Sequence, residues 1–237
     1  ENRFDDRQLF LALDQPECQL KGEIHLGPLN PWPVTWLSPG IMGWYAWVPA
    51  MECYHGVLSF DHQLSGEVTI NEQNLVFSGG RGYMEKDWGS AFPEGYVWMQ
   101  TNHFNDPGIC LTASVAVIPW FRTAFLGFIV GLWIKGTLYR FATYTNSSVE
   151  KLAISDAEVV WIMQDNTHRL EICATRAEAG FLKGPTTLEM GKRIPETMNA
   201  RVEVRLLKRN GDKVFEGIGR HAGMEVFQPE RLLSMLK

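Results

Sequence analysis

Two carboxylates lie close together in a stretch that is rich in aromatic residues. Glu85 and Asp87 are flanked by Tyr83 and Trp88, and the stretch continues into a polar run that ends at His103. Burial among aromatic side chains raises the pKa of a carboxyl group, because the charged form loses its hydration. Such a group keeps a proton near neutral pH and can act as an acid on an apolar substrate. These residues therefore predict acid chemistry if the aromatic wall encloses a pocket.

An extended backbone would place both carboxylates on the same side of a strand. Side chains alternate along a strand, so Glu85 and Asp87 would share a face with Tyr83. Two neighbouring carboxyl groups can share one proton, which leaves one of them as an acid near neutral pH. The structural alternative is that they form ion pairs with Lys86 or Arg81 and satisfy a buried network.

The next predicted strand carries aromatic and amide side chains on one face. That face holds Tyr96, Trp98, Gln100, Asn102 and Phe104, and the opposite face holds Val97, Met99, Thr101 and His103. Amide groups would hold a ring hydroxyl while aromatic faces, including those of Trp88 and Trp98, enclose an apolar chain and stabilise a carbocation. The alternatives are that Trp98 fills the core of a barrel and that His103, a candidate base for a phenol, is structural.

Glu52 and His55 form a second candidate acid–base pair in contact with ligand. They are three residues apart, so a strand would put them on opposite faces and a turn could bring them together. The histidines lack the spacing of a metal site, and the sequence has neither a glycine-rich phosphate loop before a helix nor a Gly-x-Ser-x-Gly motif. We therefore expect no metal and no cofactor.

The composition excludes one class of partner and favours a β fold. The 237 residues carry a net charge of −5 without a basic run, so nucleic acid is not expected as a partner. Nine Trp and 22 Gly favour a β protein with tight turns. The four cysteines are scattered without a Cys-x-x-Cys pair, which is typical of separate thiols in a reducing compartment.

Two features bear on the location of the protein. The chain begins at Glu1 without an initiator Met or a leader, so we expect its start to be a cut and any signal to be missing. The stretch 113–134 has about the length of a membrane helix with Arg122 as its one charge, but Pro119 and two glycines interrupt it. We interpret it as strands and expect a cytoplasmic protein, with peripheral membrane contact and oligomeric state left open.

Short alternating strands recur along the chain and predict a sandwich or barrel. The predicted hairpins join 64–70 to 74–77, 128–134 to 137–143, 158–164 to 168–175 and 201–206 to 213–216. A helix is predicted at 229–236, opened by a proline in its first turn.

Three blocks of the sequence together resemble the tocopherol cyclase family, in particular its bacterial tocopherol cyclase-like branch. They are 37–56, which contains Ser-Pro-Gly-Ile-Met-Gly-Trp-Tyr, 82–102, which contains Glu-Lys-Asp-Trp-Gly, Phe-Pro and Trp-Met-Gln-Thr-Asn, and 219–226. The second block is the most specific. The resemblance covers essentially the whole chain, apart from an N-terminal segment with which members of the family begin.

The resemblance implies an all-β, calycin-like fold of lipocalin-type antiparallel barrels in tandem. Residues 1–60 would be the remainder of a first, incomplete barrel with a connector, and residues 61–237 a second barrel. It also implies an isomerase that closes a ring on a prenylquinone-type substrate or another hydrophobic small molecule. A non-catalytic carrier of such a molecule, and a barrel filled by its own Trp side chains, are the alternatives.

Overall fold

The computed structural model describes residues 1–49, 51–186 and 189–236. Over these ranges the chain forms antiparallel strands and one short α-helix near its end, which confirms the all-β prediction. Contacts divide the chain into two compact units, which we call unit 1 (residues 1–32 and 57–85) and unit 2 (residues 33–56 and 86–237). Residues 61–85 pack with the first strands of the chain. The division into barrels at 1–60 and 61–237 stays a prediction.

Unit 1 is built on one antiparallel sheet. Its strands are β1 (Arg3–Phe4), β2 (Gln8–Gln15), β3 (Cys18–Leu26), β4 (Cys53–Ile70), β5 (Gln73–Val76) and β6 (Gly80–Gly89), where the first residues of β4 and the last residues of β6 belong to unit 2. The order is β1-β2-β3-β4-β5, and β6 also pairs with β4. The predicted hairpin after Ile70 is confirmed, since Asn71 and Glu72 both have positive φ angles, as a two-residue turn of this type requires.

Polar groups lie inside unit 1. Asp61 is buried and accepts a hydrogen bond of 2.7 Å from Nε of Arg81. His62 is also buried, and its Nδ1 lies 3.0 Å from Oγ of Ser59. A Cβ on Gly82 would lie 2.3 Å from Nε2 of His62, so the glycine leaves room for the imidazole ring. Arg81 therefore pairs with Asp61 in unit 1.

The buried imidazole makes the stability of the protein depend on pH. Burial lowers the pKa of His62 below its usual value of about 6.5. The unfolded chain then binds this proton first, so the free energy of unfolding should fall as the pH drops below about 6.5. Thermal unfolding of the His62→Gln variant should show a weaker dependence on pH, whereas His25→Gln, at an exposed position, should keep the dependence of the parent. Equal dependence in the His62→Gln variant and the parent would contradict this.

Unit 2 contains a ten-stranded antiparallel sheet. A 3₁₀ helix at Gly43–Trp47 precedes β7 (Tyr96–Thr101), β8 (Ile109–Trp120), β9 (Thr123–Ile134), β10 (Thr137–Ala142), β11 (Ser148–Ile154), β12 (Glu158–Gln164), β13 (His168–Thr175), β14 (Gly180–Gly184), β15 (Lys192–Lys208), β16 (Lys213–Phe227) and α1 (Pro229–Ser234). The order is β10-β9-β8-β7-β16-β15-β13-β12-β11, and β14 pairs with β15. Closure of either sheet into a barrel stays a prediction.

The predicted hairpins of unit 2 are confirmed. The pair β12 and β13 has the predicted bounds, and Lys135 and Gly136 form the turn between β9 and β10 with positive φ angles. The apolar stretch 113–134 lies in β8 and β9. Among the helices in the described ranges, none has the length and hydropathy needed to cross a membrane.

One hydrophobic cluster fills the inner face of this sheet. Along β15, Val202, Val204 and Leu206 are buried, while the charged residues between them are exposed, as the strict alternation predicts. Trp161 is fully buried in the same cluster, and its ring meets Phe128 edge-on at 6.2 Å. The side chains of the sheet thus form a packed core, which fixes the positions of β7 and β16.

Candidate functional site

A histidine–aspartate pair lies in the part of unit 2 where β4 begins and β6 ends. Nδ1 of His55 is 2.6 Å from Oδ1 of Asp87, and the two side chains are 13% and 32% exposed. A contact of this length is a short hydrogen bond, and it fixes the orientation of both side chains. The predicted acid Asp87 is thus paired with His55. From the sequence, the predicted partner of His55 was Glu52.

A glycine holds the backbone beside this pair. The N–H groups of Ser90 and Ala91 donate to the carbonyl oxygen of Glu52 at 2.9 and 3.2 Å. Gly89 has a φ of 151°, and a Cβ at this position would lie 2.3 Å from the same oxygen. The glycine of the Glu-Lys-Asp-Trp-Gly block is therefore required for the close approach of the two segments.

Substituting this glycine should disturb the site. Gly89→Ala forces a methyl group against the Glu52 carbonyl, so we expect a loss of about 1–3 kcal/mol in the free energy of unfolding. Denaturant unfolding measures this loss. Gly136→Ala, at a turn where a Cβ meets nothing within 4 Å, is the control for strain from a positive φ alone. Equal losses in the two variants would contradict a steric role for Gly89.

The surroundings of Glu52 disfavour the charged form of its carboxyl group. Burial raises its pKa, Lys192 opposes this shift and Glu94 adds to it. Its Oε2 atom is buried and has no hydrogen-bond partner among the described residues. The neighbouring thiol of Cys53 has its pKa raised to about 12, chiefly by burial and then by Asp87 and Glu52, so it stays protonated. Both pKa shifts favour the protonated form, so this part of the site suits acid chemistry better than the chemistry of a thiolate.

Another carboxyl group, that of Glu225, lies beside β7. Tyr96 in β7 donates a hydrogen bond of 2.5 Å to Oε2 of Glu225 in β16. The pKa of Tyr96 is raised by burial, then by Glu225, and further by Asp87 and Cys53. The Glu225 and Asp87 carboxyl groups thus both disfavour ionisation of the Tyr96 phenol.

The two faces of β7 have different environments. Val97 and Met99 point into the core of unit 2, whereas Trp98 and Gln100 lie on the other face and are half-buried. Trp98 therefore lies outside the hydrophobic cluster of unit 2. Its ring packs against Gly223, and its Nε1 atom is buried without a hydrogen-bond partner in the described ranges. Nε2 of Gln100 lies 3.8 Å from a cysteine sulfur atom.

The predicted alternation fails after Thr101, where β7 ends. The hydroxyl of Thr101 donates to the Arg220 carbonyl at 2.8 Å and accepts from N–H of His103 at 3.1 Å, which turns the chain. Phe104 then packs against the core of unit 2, so its placement on the Trp98 face was wrong. Asn102 is buried beyond the end of the strand.

His103 lies beside a second histidine. Its ring meets that of His221 edge-on at 5.7 Å, and its backbone pairs with Arg220. Burial, and then His221, lower the pKa of His103, which favours the neutral imidazole that a base requires. Its role as a base for a phenol stays a prediction.

The remaining predicted residues have partners on their own strands or close by. In unit 1, the Tyr83 hydroxyl donates to Oε2 of Glu85, so these two side chains share a face of β6 as expected. In unit 2, Trp88 stacks on Tyr54 at 5.5 Å, and the Lys86 ammonium lies 4.8 Å from the Trp88 ring centre. Of the two cations in the structural alternative, Arg81 donates to Asp61 and Lys86 lies over the Trp88 ring.

Comparison with known proteins identifies the family. Residues 10–227 match the family model described as tocopherol cyclase-like. The chain belongs to this family.

Curated relatives of this tocopherol cyclase-like chain include two plant proteins. The chloroplastic tocopherol cyclase of Zea mays is 27% identical over 157 residues, which cover 63% of this chain and 32% of the relative. A chloroplastic protein of Oryza sativa subsp. japonica, named as a probable tocopherol cyclase, is 26% identical over 164 residues, 67% of this chain and 34% of the relative. The chain thus spans about a third of the length of these relatives.

Solved structures of CghA share the fold. The structure with Sch210972 gives a TM-score of 0.54 at 11% identity, and a second CghA structure gives 0.53 at 12%. Each comparison covers 93% of this chain and 64% of the CghA chain. At this identity the likeness concerns the fold alone.

One residue of the candidate site in this tocopherol cyclase-like chain, Glu225, is not among those predicted from the sequence. It lies in the third motif block, and its register partner across the sheet is Trp98. Gly223, Glu225 and Phe227 lie on one face of β16, which is continuous with the face of β7 that holds Tyr96 and Gln100. The alternation of side chains along β16 could therefore have indicated that Glu225 lies on this face. The pairing of β7 with β16, which are far apart in sequence, was the missing information.

Proposed function

We propose that the protein is a cofactor-independent enzyme of the cyclase type. Its substrate would be a hydrophobic molecule, such as a prenylated aromatic, with a hydroxyl group and a nearby trisubstituted double bond. The observation that carries the proposal is the pairing of Asp87 with His55 at 2.6 Å. Membership of the tocopherol cyclase-like family, and the names of the two plant relatives, support the reaction type.

Asp87 is the proposed acid, and His55 is a positioning residue. When Nδ1–H of His55 donates to Oδ1, the other carboxyl oxygen carries the proton for the alkene. The same hydrogen bond stabilises the carboxylate that remains after transfer. The proton forms a C–H bond at the less substituted alkene carbon, and the other carbon becomes a tertiary cation. Glu85 and Glu52 are the alternative acids.

Aromatic faces near the site would stabilise this cation. Trp98 and Tyr96 lie on the face of β7 opposite the core, and the Trp98 ring is half-buried. The electron-rich face of an indole attracts a positive charge, and the attraction grows when water is excluded. Trp88 is less suited, because the Lys86 ammonium already lies over its ring.

The hydroxyl group of the substrate would then close the ring. Its oxygen forms a bond with the tertiary carbon, and the hydroxyl proton leaves to a carboxylate, for which we propose Glu225. Gln100, on the same face as Trp98, would orient the hydroxyl by a hydrogen bond from its amide. No atom is gained or lost, so the product is an isomer of the substrate. Glu225 then releases to solvent the proton that it accepted, and Asp87 takes up one proton from solvent.

Mass spectrometry of the reaction mixture tests the proposal. The full-length protein is incubated with a prenylated hydroquinone, and the extract is compared with that of a boiled control by reversed-phase chromatography. We expect a product of unchanged mass that elutes earlier and has an altered ultraviolet spectrum. Bound but unaltered substrate after prolonged incubation would contradict the enzyme and favour a carrier.

A further inference from the structure

Unit 2 exposes a group of large apolar side chains that we call the aromatic patch. Its members and their exposed fractions are Trp36 at 81%, Leu37 at 70%, Trp44 at 47%, Trp47 at 61% and Phe121 at 95%. The indole Nε1 of Trp47 donates to the Trp36 carbonyl at 3.1 Å, which holds the loop and the 3₁₀ helix together. Monomeric soluble proteins rarely expose contiguous apolar surface unless it binds something.

Ring contacts join the 3₁₀ helix to the tip of the β8–β9 hairpin. Tyr45 stacks on Trp44 at 4.0 Å and meets Trp120 edge-on at 5.9 Å. Trp120 in turn contacts Phe121 at 5.4 Å. The exposed rings therefore rest on half-buried ones, and the aromatic patch is a continuous and supported surface rather than scattered side chains.

Phe121 occupies a position that disfavours it. It lies in the two-residue turn of the β8–β9 hairpin with a φ of 52°, where glycine or asparagine is the usual choice. A bulky residue in this conformation costs free energy, and its ring gains little burial in the monomer because it is almost fully exposed. The side chain is thus better suited to contact outside the molecule than to stability of the turn.

The charge of this surface differs from that of the whole protein. The sequence from Gly27 to Met51 contains no Asp, Glu, Lys or Arg, and Arg122 is the only such residue between Ile109 and Ile134. The protein as a whole carries −5. The two segments that carry the aromatic patch therefore contain a single charged residue, the cation Arg122, in a chain whose net charge is negative.

We propose that the aromatic patch docks on the surface of a lipid bilayer. Tryptophan and tyrosine side chains favour the level of the headgroups, because the rings are apolar and the N–H or O–H groups stay hydrated. Arg122, next to Phe121, supplies the attraction to anionic lipid, while the absence of carboxylates from the surrounding segments removes repulsion. The proposal rests on exposure, residue type and charge, and it does not depend on the reaction proposed above.

Vesicle flotation tests the docking. The full-length protein is mixed with phosphatidylcholine vesicles that contain phosphatidylglycerol, and the bound fraction is measured with and without the anionic lipid. We expect binding that strengthens with phosphatidylglycerol and shifts Trp fluorescence to the blue. Phe121→Asn should weaken binding about tenfold, while its melting temperature stays the same or rises, because asparagine suits the positive φ.

Matched variants test whether the loss of vesicle binding is specific to substitutions in the aromatic patch. Phe181→Ser removes an exposed ring elsewhere in unit 2 and should bind vesicles as the parent does. Arg122→Glu should lose the dependence on phosphatidylglycerol, whereas Lys151→Glu, at another exposed position, should keep it. Failure of the parent to float with either vesicle, or equal losses in Phe181→Ser and Phe121→Asn, would overturn the proposal. The proposal would also be overturned if sedimentation showed a dimer of the parent that the Phe121→Asn substitution dissociates, while the parent did not bind vesicles.

Discussion

Replacing Asp87 with asparagine is expected to lower kcat for ring closure by about 10³-fold, because an amide has no acidic proton to give to the alkene. The amide oxygen can still accept the hydrogen bond from His55, so the end of β6 should keep its geometry. Substrate binding should then change little. We therefore expect kcat to fall while KM stays close to that of the parent, which steady-state kinetics on a prenylated hydroquinone would measure.

Two further variants complete this test. Asp106→Asn changes an exposed carboxylate that pairs with Lys135, and it should leave kcat unchanged. Glu85→Gln should have a smaller effect than Asp87→Asn if Asp87 is the acid. Full turnover in both Asp87→Asn and Glu85→Gln would show that neither carboxyl group donates the proton.

The largest expected effect on stability comes from Arg81 in unit 1. Asp61 is only 1% exposed, and Arg81→Met removes the guanidinium that donates to its carboxylate. A buried charge that loses its opposite charge is costly, so the free energy of unfolding should fall by about 3–5 kcal/mol. Urea denaturation followed by far-ultraviolet circular dichroism would measure the loss.

A double variant shows whether the charge is the cause. Arg81→Met combined with Asp61→Asn removes both charges, and it should recover a large part of the stability that the single variant loses. Arg7→Met, at an exposed part of the same unit, should change stability by no more than about 0.5 kcal/mol. A single Arg81→Met variant as stable as the parent would contradict a structural role for this pair.

Local patterns in the sequence predicted the strands well. The turns after Ile70 and Ile134 were found because short polar or glycine-containing turns leave a clear signal between alternating runs, although the first turn has two residues and not the predicted three. The alternation of β15 identified its buried face for the same reason. Each of these predictions depends on neighbours within a few residues, which is the range over which a single sequence carries physical information.

Predictions that depended on long-range pairing were less complete. The alternation along β7 could not show that the chain turns after Thr101, since the turn depends on a hydrogen bond to Arg220 in β16. Likewise, Glu225 joins the site only through the pairing of β16 with β7, and His55 meets Asp87 across two segments that are distant in sequence. The residue types were visible in the sequence, but their partners were not.

The most direct test of the proposed acid catalysis is the reaction in heavy water. If a carboxyl group in exchange with solvent protonates the alkene, the cyclised product should contain one carbon-bound deuterium, next to the new quaternary carbon. Mass spectrometry and proton NMR of the washed product would detect it. A cyclised product without carbon-bound deuterium would contradict protonation of the alkene, and with it the role proposed for Asp87 and His55.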